Sequence, residues 1–85
     1  MKFKVIVSNE ARKNFRKIPQ PWKKKISLYL DMLSFDPHIG KKLEGRYKNC
    51  YSIRVWPYRI IYTIKRKELI IEVIEIGSRG RAYKK

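Results

Sequence analysis

Cysteine and histidine are scarce in this sequence, which has one of each, Cys50 and His38, among its 85 residues. A lone cysteine cannot form a disulfide within the chain, and no pair of Cys or His residues has metal-ligand spacing. A disulfide-stapled secreted domain and a structural zinc site are therefore excluded. We expect a reducing compartment and neither a metal nor a small-molecule cofactor.

Long apolar stretches are also missing. Charged residues interrupt every hydrophobic run, and none approaches the roughly 20 residues that a transmembrane helix requires. The first eight residues are too few and alternate too regularly to be the apolar core of a signal peptide. These absences predict a cytoplasmic protein that does not enter a membrane.

Acidic residues are few, because seven Asp and Glu face 22 Lys and Arg, which leaves a net charge of +15. The basic residues are spread along the chain, so the charge belongs to the folded body. With 44% hydrophobic and 13% aromatic residues the chain can form a core, and its length predicts one domain over residues 1–85. Such a charge favours a polyanionic partner, with nucleic acid first among the candidates.

The first half of the chain has the pattern of a strand followed by two helices. Alternation predicts a strand over residues 2–7, and Ser8 is placed as the N-cap of a helix that Pro19 stops. Pro21 suits the first turn of a second helix, and the short loop between the helices predicts an antiparallel hairpin. The apolar stripe of the second helix consists of Trp22, Ile26, Tyr29, Leu30 and Leu33.

A polar, basic connection follows, and then the period becomes that of strands. Three strands are predicted over residues 51–56, 58–65 and 68–76, joined by tight connections at residues 56–57 and 66–67. Short connections make consecutive strands antiparallel neighbours. The predicted fold class is α+β, with an antiparallel sheet of about four strands and the helical hairpin packed on one face, in the order β-α-α-β-β-β.

The turn at residues 56–57 sets the register of the hairpin. With a two- or four-residue loop it places Arg54 directly opposite Arg59, so both guanidinium groups point to the same side of the sheet. Like charges in this position destabilise the sheet unless an anion lies between them, and a phosphate is the obvious candidate. The same register predicts two pairs buried under the helices, Ile53 with Ile60 and Tyr51 with Tyr62.

Beyond Gly77 the chain carries four cations, one tyrosine and no acid. We expect this tail to fold back beside Arg54 and Arg59. Arginine binds phosphate oxygens through a planar fork, and a tyrosine stacks on a base or donates its hydroxyl to phosphate. The residues concerned are Arg79, Arg81, Tyr83, Lys84 and Lys85. Other reactive residues have simpler interpretations, with His38 expected at the surface and Cys50 expected as a small buried residue.

Several short motifs carry a family resemblance. They are Leu43-Glu44-Gly45, Cys50-Tyr51-Ser52-Ile53-Arg54-Val55, Tyr58-Arg59-Ile60-Ile61-Tyr62, Ile76-Gly77-Ser78-Arg79, and Tyr83. With these motifs, over nearly the whole chain, the sequence resembles the RelE/ParE superfamily of bacterial and archaeal type II toxins.

The resemblance implies a toxin that an acidic, RelB-like antitoxin holds inactive. In RelE-like members the activity is metal-independent cleavage of messenger RNA in the ribosomal A site. The catalytic residues that carry over are Arg54, Arg59, Arg79 and, at a shorter spacing than usual, Tyr83. We expect Lys48, Arg81 and Lys84 to contact RNA. Messenger RNA, the ribosome and the antitoxin are thus the implied partners.

One departure from the family pattern concerns the proton acceptor. RelE-like toxins commonly place two basic residues in the second strand of the family's sheet, whereas this chain has Ser52 at the first of the two positions and only Arg54 at the second. Arginine is a poor general base because its pKa is too high. Lys48 or the Tyr83 phenol could fill this role. A second type of active site in the family has a carboxylate and a histidine near the carboxyl terminus. It is absent here, since the last acid is Glu75 and the only histidine is His38.

Two other functions remain open at this point. A ParE-like toxin would have the same fold, would inhibit DNA gyrase and would need no catalytic residues. A non-enzymatic basic RNA-binding protein, for example one bound to the ribosome, would also explain the charge. The convergence of Arg54, Arg59, Arg79 and Tyr83 favours the nuclease, because a simple binder could spread its charge over the surface.

Overall fold

A computed structural model describes residues 2–78 and contains two helices and five strands in this part of the chain. In chain order the elements are β1 (Lys4–Val7), α1 (Asn9–Arg16), α2 (Trp22–Phe35), β2 (Lys41–Lys42), β3 (Tyr51–Val55), β4 (Tyr58–Lys65) and β5 (Ile70–Ser78). Short 3₁₀ turns lie at Pro37–Ile39, Gly45–Tyr47 and Arg66–Glu68. The α+β class and the order of the predicted elements are confirmed.

The strands form one sheet in the order β1-β5-β4-β3-β2. Strands β2 to β5 pair antiparallel, as predicted for the last three, whereas β1 runs parallel to β5. The sheet has one strand more than expected, because Lys41 and Lys42 in the polar connection pair with the start of β3. A strand of two residues is too short to show an alternating sequence pattern. It can be recognised as a strand only from its pairing with β3.

The helices begin where the capping residues indicate. The Ser8 hydroxyl accepts a hydrogen bond from the Ala11 amide at 3.1 Å, which is the predicted N-cap of α1. Helix α2 starts at Trp22, after Pro21, and continues to Phe35, two residues beyond its predicted stripe. Together α1 and α2 cover one face of the sheet, which we call the inner face.

The core lies between the helices and the inner face. Its buried residues are Ala11, Ile18, Ile26 and Leu33 from the helical part, and Ile53, Val55, Ile60, Tyr62, Ile71, Val73 and Ile76 from the sheet. Burying each large side chain contributes roughly 1.5–3 kcal/mol. On the opposite, outer face, Cys50 and Ile61 form a smaller buried cluster with Leu43, Tyr47 and Ile74. The segment between β2 and β3 therefore covers part of the outer face.

Tyr62 fixes the loop that leads into β2. Its hydroxyl donates to the Pro37 carbonyl at 2.7 Å and accepts from the Gly40 amide at 3.1 Å. The side chain is fully buried, and this burial raises the pKa of Tyr62 to about 12. A Cβ on residue 40 would clash with the Tyr62 hydroxyl and approach the Ser52 carbonyl oxygen to 3.0 Å. Glycine at this position therefore permits the close approach of loop and sheet.

Strand β5 contains a bulge. Tyr62 pairs with Val73 and Ile61 pairs with Glu75, so Ile74 is the additional residue. Strand β1 pairs with β5 only as far as Val73. After Val73, the same edge of β5 is covered by α1 instead of a strand. There the Ser8 hydroxyl donates to the Ile74 carbonyl at 2.9 Å, and the Asn14 side-chain oxygen accepts from the Ile76 amide at 3.0 Å.

Candidate nucleic-acid interface

Arg54 and Arg59 are direct partners across β3 and β4, as the sequence predicts. The pairs Ile53–Ile60 and Tyr51–Tyr62 are confirmed as well, and both lie on the inner face. The two arginines consequently point to the outer face, away from the helices. The Arg54 side chain is exposed, and Arg59 is half-buried. The two arginines thus lie on the same face of neighbouring strands, with Arg54 the more exposed of the two.

Lys41 adds a third cation to this surface. It pairs with Ser52, which precedes Arg54 by two residues and therefore lies on the same face. We call Lys41, Arg54 and Arg59 the cationic face. They line a cleft of about 470 Å³ together with Ile39, Leu43, Ser52 and Ile53. Such a cleft offers several positive donors to one anionic group.

Ser52 is almost fully buried at 6% exposure, and Lys41 stands beside it. Ser52 stands at the first of the two strand positions where RelE-like toxins commonly have a basic residue. Here Lys41, on the neighbouring strand β2, supplies a positive charge beside that position. Sequence reasoning missed Lys41, because β2 becomes recognisable as a strand only when β3 is in place.

Lys48 lies apart from the arginine cleft. It is exposed, directly after the 3₁₀ turn Gly45–Tyr47, and its amide donates to the Gly45 carbonyl at 3.0 Å. It lines a separate cleft with Lys42, Leu43, Glu44, Gly45 and Asn49. The two clefts share only Leu43 among these lining residues. Lys48 therefore extends the basic surface without joining the cationic face.

The remaining predicted site residues follow β5. Arg79, Arg81, Tyr83 and Lys84 lie outside the described residues. Within the described part, Gly77 pairs with Arg59 and Ser78 pairs with Tyr58. The end of β5 is therefore at the same end of the sheet as the two arginines.

Glu75 and Tyr47 are two further polar residues of the outer face that the sequence did not indicate. Glu75 pairs with Ile61, and Tyr47 packs beside Ile61 and donates a hydrogen bond to the Glu75 carboxylate. Burial, with a contribution from the Glu10 carboxylate, raises the pKa of Glu75. Burial and the negative charge of Glu75 likewise raise the pKa of Tyr47. The β5 bulge brings Glu75 to this face, and no sequence signal marks a bulge of this kind.

The expectations for His38 and Cys50 are confirmed. His38 is exposed and its ring contacts the Arg66 guanidinium. Cys50 is buried, and burial raises the pKa of its thiol. Residues 2–78 contain no group of three or more His, Cys, Asp and Glu residues that could hold a metal ion. In the same part of the chain, no helix has the length and apolar character needed to span a membrane.

Comparison with known proteins identifies the class to which this fold and site belong. The family described as the ParE toxin of the type II toxin-antitoxin system, parDE, matches residues 5–83. A RelE-like toxin protein of Escherichia coli is 31% identical, over 96% of this chain and 88% of that protein. This protein is therefore the toxin of a type II toxin-antitoxin system. It belongs to the RelE/ParE superfamily, as the sequence motifs imply.

Solved structures agree with this assignment. The RelE–RelB complex of the archaeon Pyrococcus horikoshii matches with a TM-score of 0.82 at 25% identity, over 95% of this chain and 99% of that chain. The toxin-antitoxin complex RelBE2 of Mycobacterium tuberculosis matches with a TM-score of 0.86 at 22% identity, over 93% of this chain and 100% of that chain. The second match supports the fold alone, because its sequence identity is lower.

Proposed function

We propose that this toxin is a ribosome-dependent messenger RNA endonuclease that inhibits translation without a metal ion. The observation that carries the proposal is the pairing of Arg54 with Arg59 on an open sheet face. The two guanidinium groups lie on one face of neighbouring strands, where both can donate hydrogen bonds to the oxygens of one phosphodiester.

The chemistry of RNA cleavage explains the use of two arginines. Attack of the 2′-hydroxyl on phosphorus places additional negative charge on the phosphorane, and preorganised guanidinium groups stabilise that charge. Arg54 and Arg59 supply this stabilisation in our proposal, and Arg79 joins them from the segment after β5. The Tyr83 phenol protonates the leaving 5′-oxygen or stacks on a base.

Additional basic residues hold the RNA and the partner protein. Lys48, Arg81 and Lys84 bind the RNA backbone in our proposal, which is consistent with the exposed position of Lys48. The inhibitor is an acidic, RelB-like antitoxin, and the solved neighbours that are complexes with RelB support this assignment. Because the chain carries +15, an acidic segment is the natural cover for its basic surface.

A second candidate function is inhibition of DNA gyrase, which the resemblance to ParE-like toxins implies, and the ParE toxin family matches residues 5–83. The two functions make different demands on the cationic face. A nuclease needs Arg54 and Arg59 for each turnover, whereas a gyrase inhibitor needs only a binding surface.

Expression of the toxin in growing cells distinguishes the two. We expect growth and translation to stop, and primer extension to reveal cuts within codons only in messages that are being translated. Loss of DNA supercoiling with intact messages would contradict the nuclease and support the gyrase inhibitor.

Two variants make the assay specific. Arg59→Ala should greatly reduce the cuts, and Arg16→Ala should retain them, because Arg16 is exposed at the end of α1, which packs on the inner face. Circular dichroism of each purified variant checks that it is folded. Equal cutting by the wild type and the Arg59 variant would remove the cationic face from the mechanism.

A further inference from the structure

The cationic face contains no evident proton acceptor. Cleavage through the 2′-hydroxyl requires a base, and the two arginines hold their protons too tightly to provide one. Ser52, at the position where related toxins commonly have a basic residue, is almost fully buried. The carboxylate that lies nearest to the arginine pair by strand register is Glu75.

Glu75 is adjacent to Arg59 on the outer face. Arg59 pairs with Gly77 and Ile61 pairs with Glu75, so Glu75 is the diagonal neighbour of Arg59 on the next strand. Diagonal neighbours have Cα atoms about 7–8 Å apart, with Cβ atoms somewhat closer, a distance that a ribose and its phosphate can bridge. Gly77 has no side chain to fill the surface beside Arg59. A phosphate bound at Arg59 can therefore place its ribose toward Glu75.

One hydrogen bond holds the Glu75 carboxylate in position. The Tyr47 hydroxyl donates to it from the segment that covers the outer face, and Glu10 and Asn14 of α1 line a cleft together with it. A carboxylate can accept about four hydrogen bonds, so the bond from Tyr47 leaves acceptor sites for a substrate. The β5 bulge brings the side chain to this position, and bulges commonly redirect side chains beside active sites.

We propose that Glu75 is the general base that accepts the proton of the RNA 2′-hydroxyl, a role that rests on the nuclease function proposed above. In the reaction the 2′-oxygen forms a bond to phosphorus and its proton moves to Glu75. The bond from phosphorus to the 5′-oxygen breaks, and this oxygen takes a proton from solvent water. The products are a 2′,3′-cyclic phosphate and a 5′-hydroxyl end. Glu75 then releases its proton to solvent.

The surroundings of Glu75 suit this role. Burial and the Glu10 carboxylate raise its pKa, and the hydrogen bond from Tyr47 lowers it. A carboxylate with a raised pKa is a stronger base. The titratable or charged groups around Glu75 are Tyr47 from the covering segment, Glu10 and Lys17 from α1, and Tyr58 from β4. Arg59 is its diagonal neighbour by strand register.

The test is single-turnover cleavage of messenger RNA on programmed ribosomes as a function of pH. For the wild type we expect the rate to fall as the pH decreases through the pKa of Glu75. Glu75→Gln should reduce the rate about a hundredfold or more and remove this acidic limb. Glu72→Gln is the matched control, because Glu72 is on the same strand and pairs with Lys65 at 3.4 Å, away from the arginines.

Two further variants retain Glu75 and shift its titration in opposite directions. Tyr47→Phe removes a hydrogen bond that lowers the pKa of Glu75, so the acidic limb should move to higher pH. Glu10→Gln removes a negative charge that raises this pKa, so the limb should move to lower pH. A purely structural role of Glu75 would not produce such opposite shifts.

The outcomes separate the two proposals. If the wild type does not cleave ribosome-bound messages, the nuclease function fails and the role of Glu75 fails with it. If the wild type cleaves and folded Glu75→Gln cleaves equally well, only the role of Glu75 is overturned. Slower cleavage by this variant with an unchanged acidic limb would also overturn it.

Discussion

Arg54 and Arg59 project from directly opposed positions of β3 and β4, so two like charges share one side of the sheet. Directly opposed like charges destabilise a sheet by a few tenths of a kcal/mol to about 1 kcal/mol. The buried pairs on either side, such as Ile53 with Ile60, stabilise the same ladder from the inner face. The hairpin therefore tolerates an unfavourable charge pair that is useful for binding phosphate.

This opposition predicts separate effects on stability and activity. Arg54→Ala should leave the free energy of unfolding unchanged or raise it slightly, because it removes the repulsion, while it slows cleavage. Arg59→Ala should cost on the order of 3 kcal/mol of transition-state stabilisation, about a hundredfold in single-turnover rate. Urea unfolding and ribosome cleavage assays measure the two quantities.

The double variant provides a further check. Its rate loss should be smaller than the product of the two single losses, because the arginines act on the same phosphate. Rate losses that simply follow a decrease in stability would contradict this explanation.

The arginine pair was predictable from the sequence, and Glu75 was not. A two-residue turn at residues 56–57 fixes the register of β3 and β4, so the partner of each residue can be counted from the turn. The face of Glu75 depends on a bulge at Ile74, which shifts the alternation of β5 by one residue. That bulge arises from the contacts of β5 with β4 and α1, which the local sequence does not encode.

Among the elements, the loop before β2 has the strictest steric requirement. Gly40 packs against the Tyr62 hydroxyl and accordingly has no room for a side chain. The loop carries Lys41 to the cationic face, so the hydroxyl of an inner-face tyrosine helps to position a cation on the outer face.

We therefore predict that Gly40→Ala destabilises the protein by about 1–3 kcal/mol, the usual cost of overpacking. In the Tyr62→Phe background the same change should cost less, since the hydroxyl that clashes with the new methyl group is gone. Chemical denaturation of the four proteins in this cycle measures the coupling. Equal costs of Gly40→Ala in both backgrounds would exclude the hydroxyl as the steric barrier.

Element boundaries were less predictable than element types. The third predicted strand begins at Ile70 instead of residue 68, because Arg66–Glu68 forms a 3₁₀ turn and Leu69 adopts a left-handed conformation with φ 55°. The predicted first strand shortens to Lys4–Val7, the part that pairs with β5. In both cases the partner strand decides where pairing begins and ends.

For the whole molecule, the charge of +15 determines how a partner approaches. We predict that association with an acidic antitoxin weakens strongly between about 0.1 M and about 1 M salt, where the Debye length falls from ~10 Å to ~3 Å. The association rate should decrease more than the dissociation rate increases. Surface plasmon resonance at several salt concentrations measures both rates, and an affinity independent of salt would contradict an electrostatic interface.

The position of β5 between β1 and β4 also affects how the toxin folds during its own synthesis. Strand β1 leaves the ribosome first, but its partner in the sheet is the last of the described strands to be made. Strand β5 lies between β1 and β4, so its backbone hydrogen bonds connect β1 to the β3–β4 hairpin that carries the arginines. Until β5 has emerged, this connection cannot form. Pairing between such distant segments is slow to form. The nascent chain therefore completes its five-stranded sheet only late in translation, after β5 has emerged.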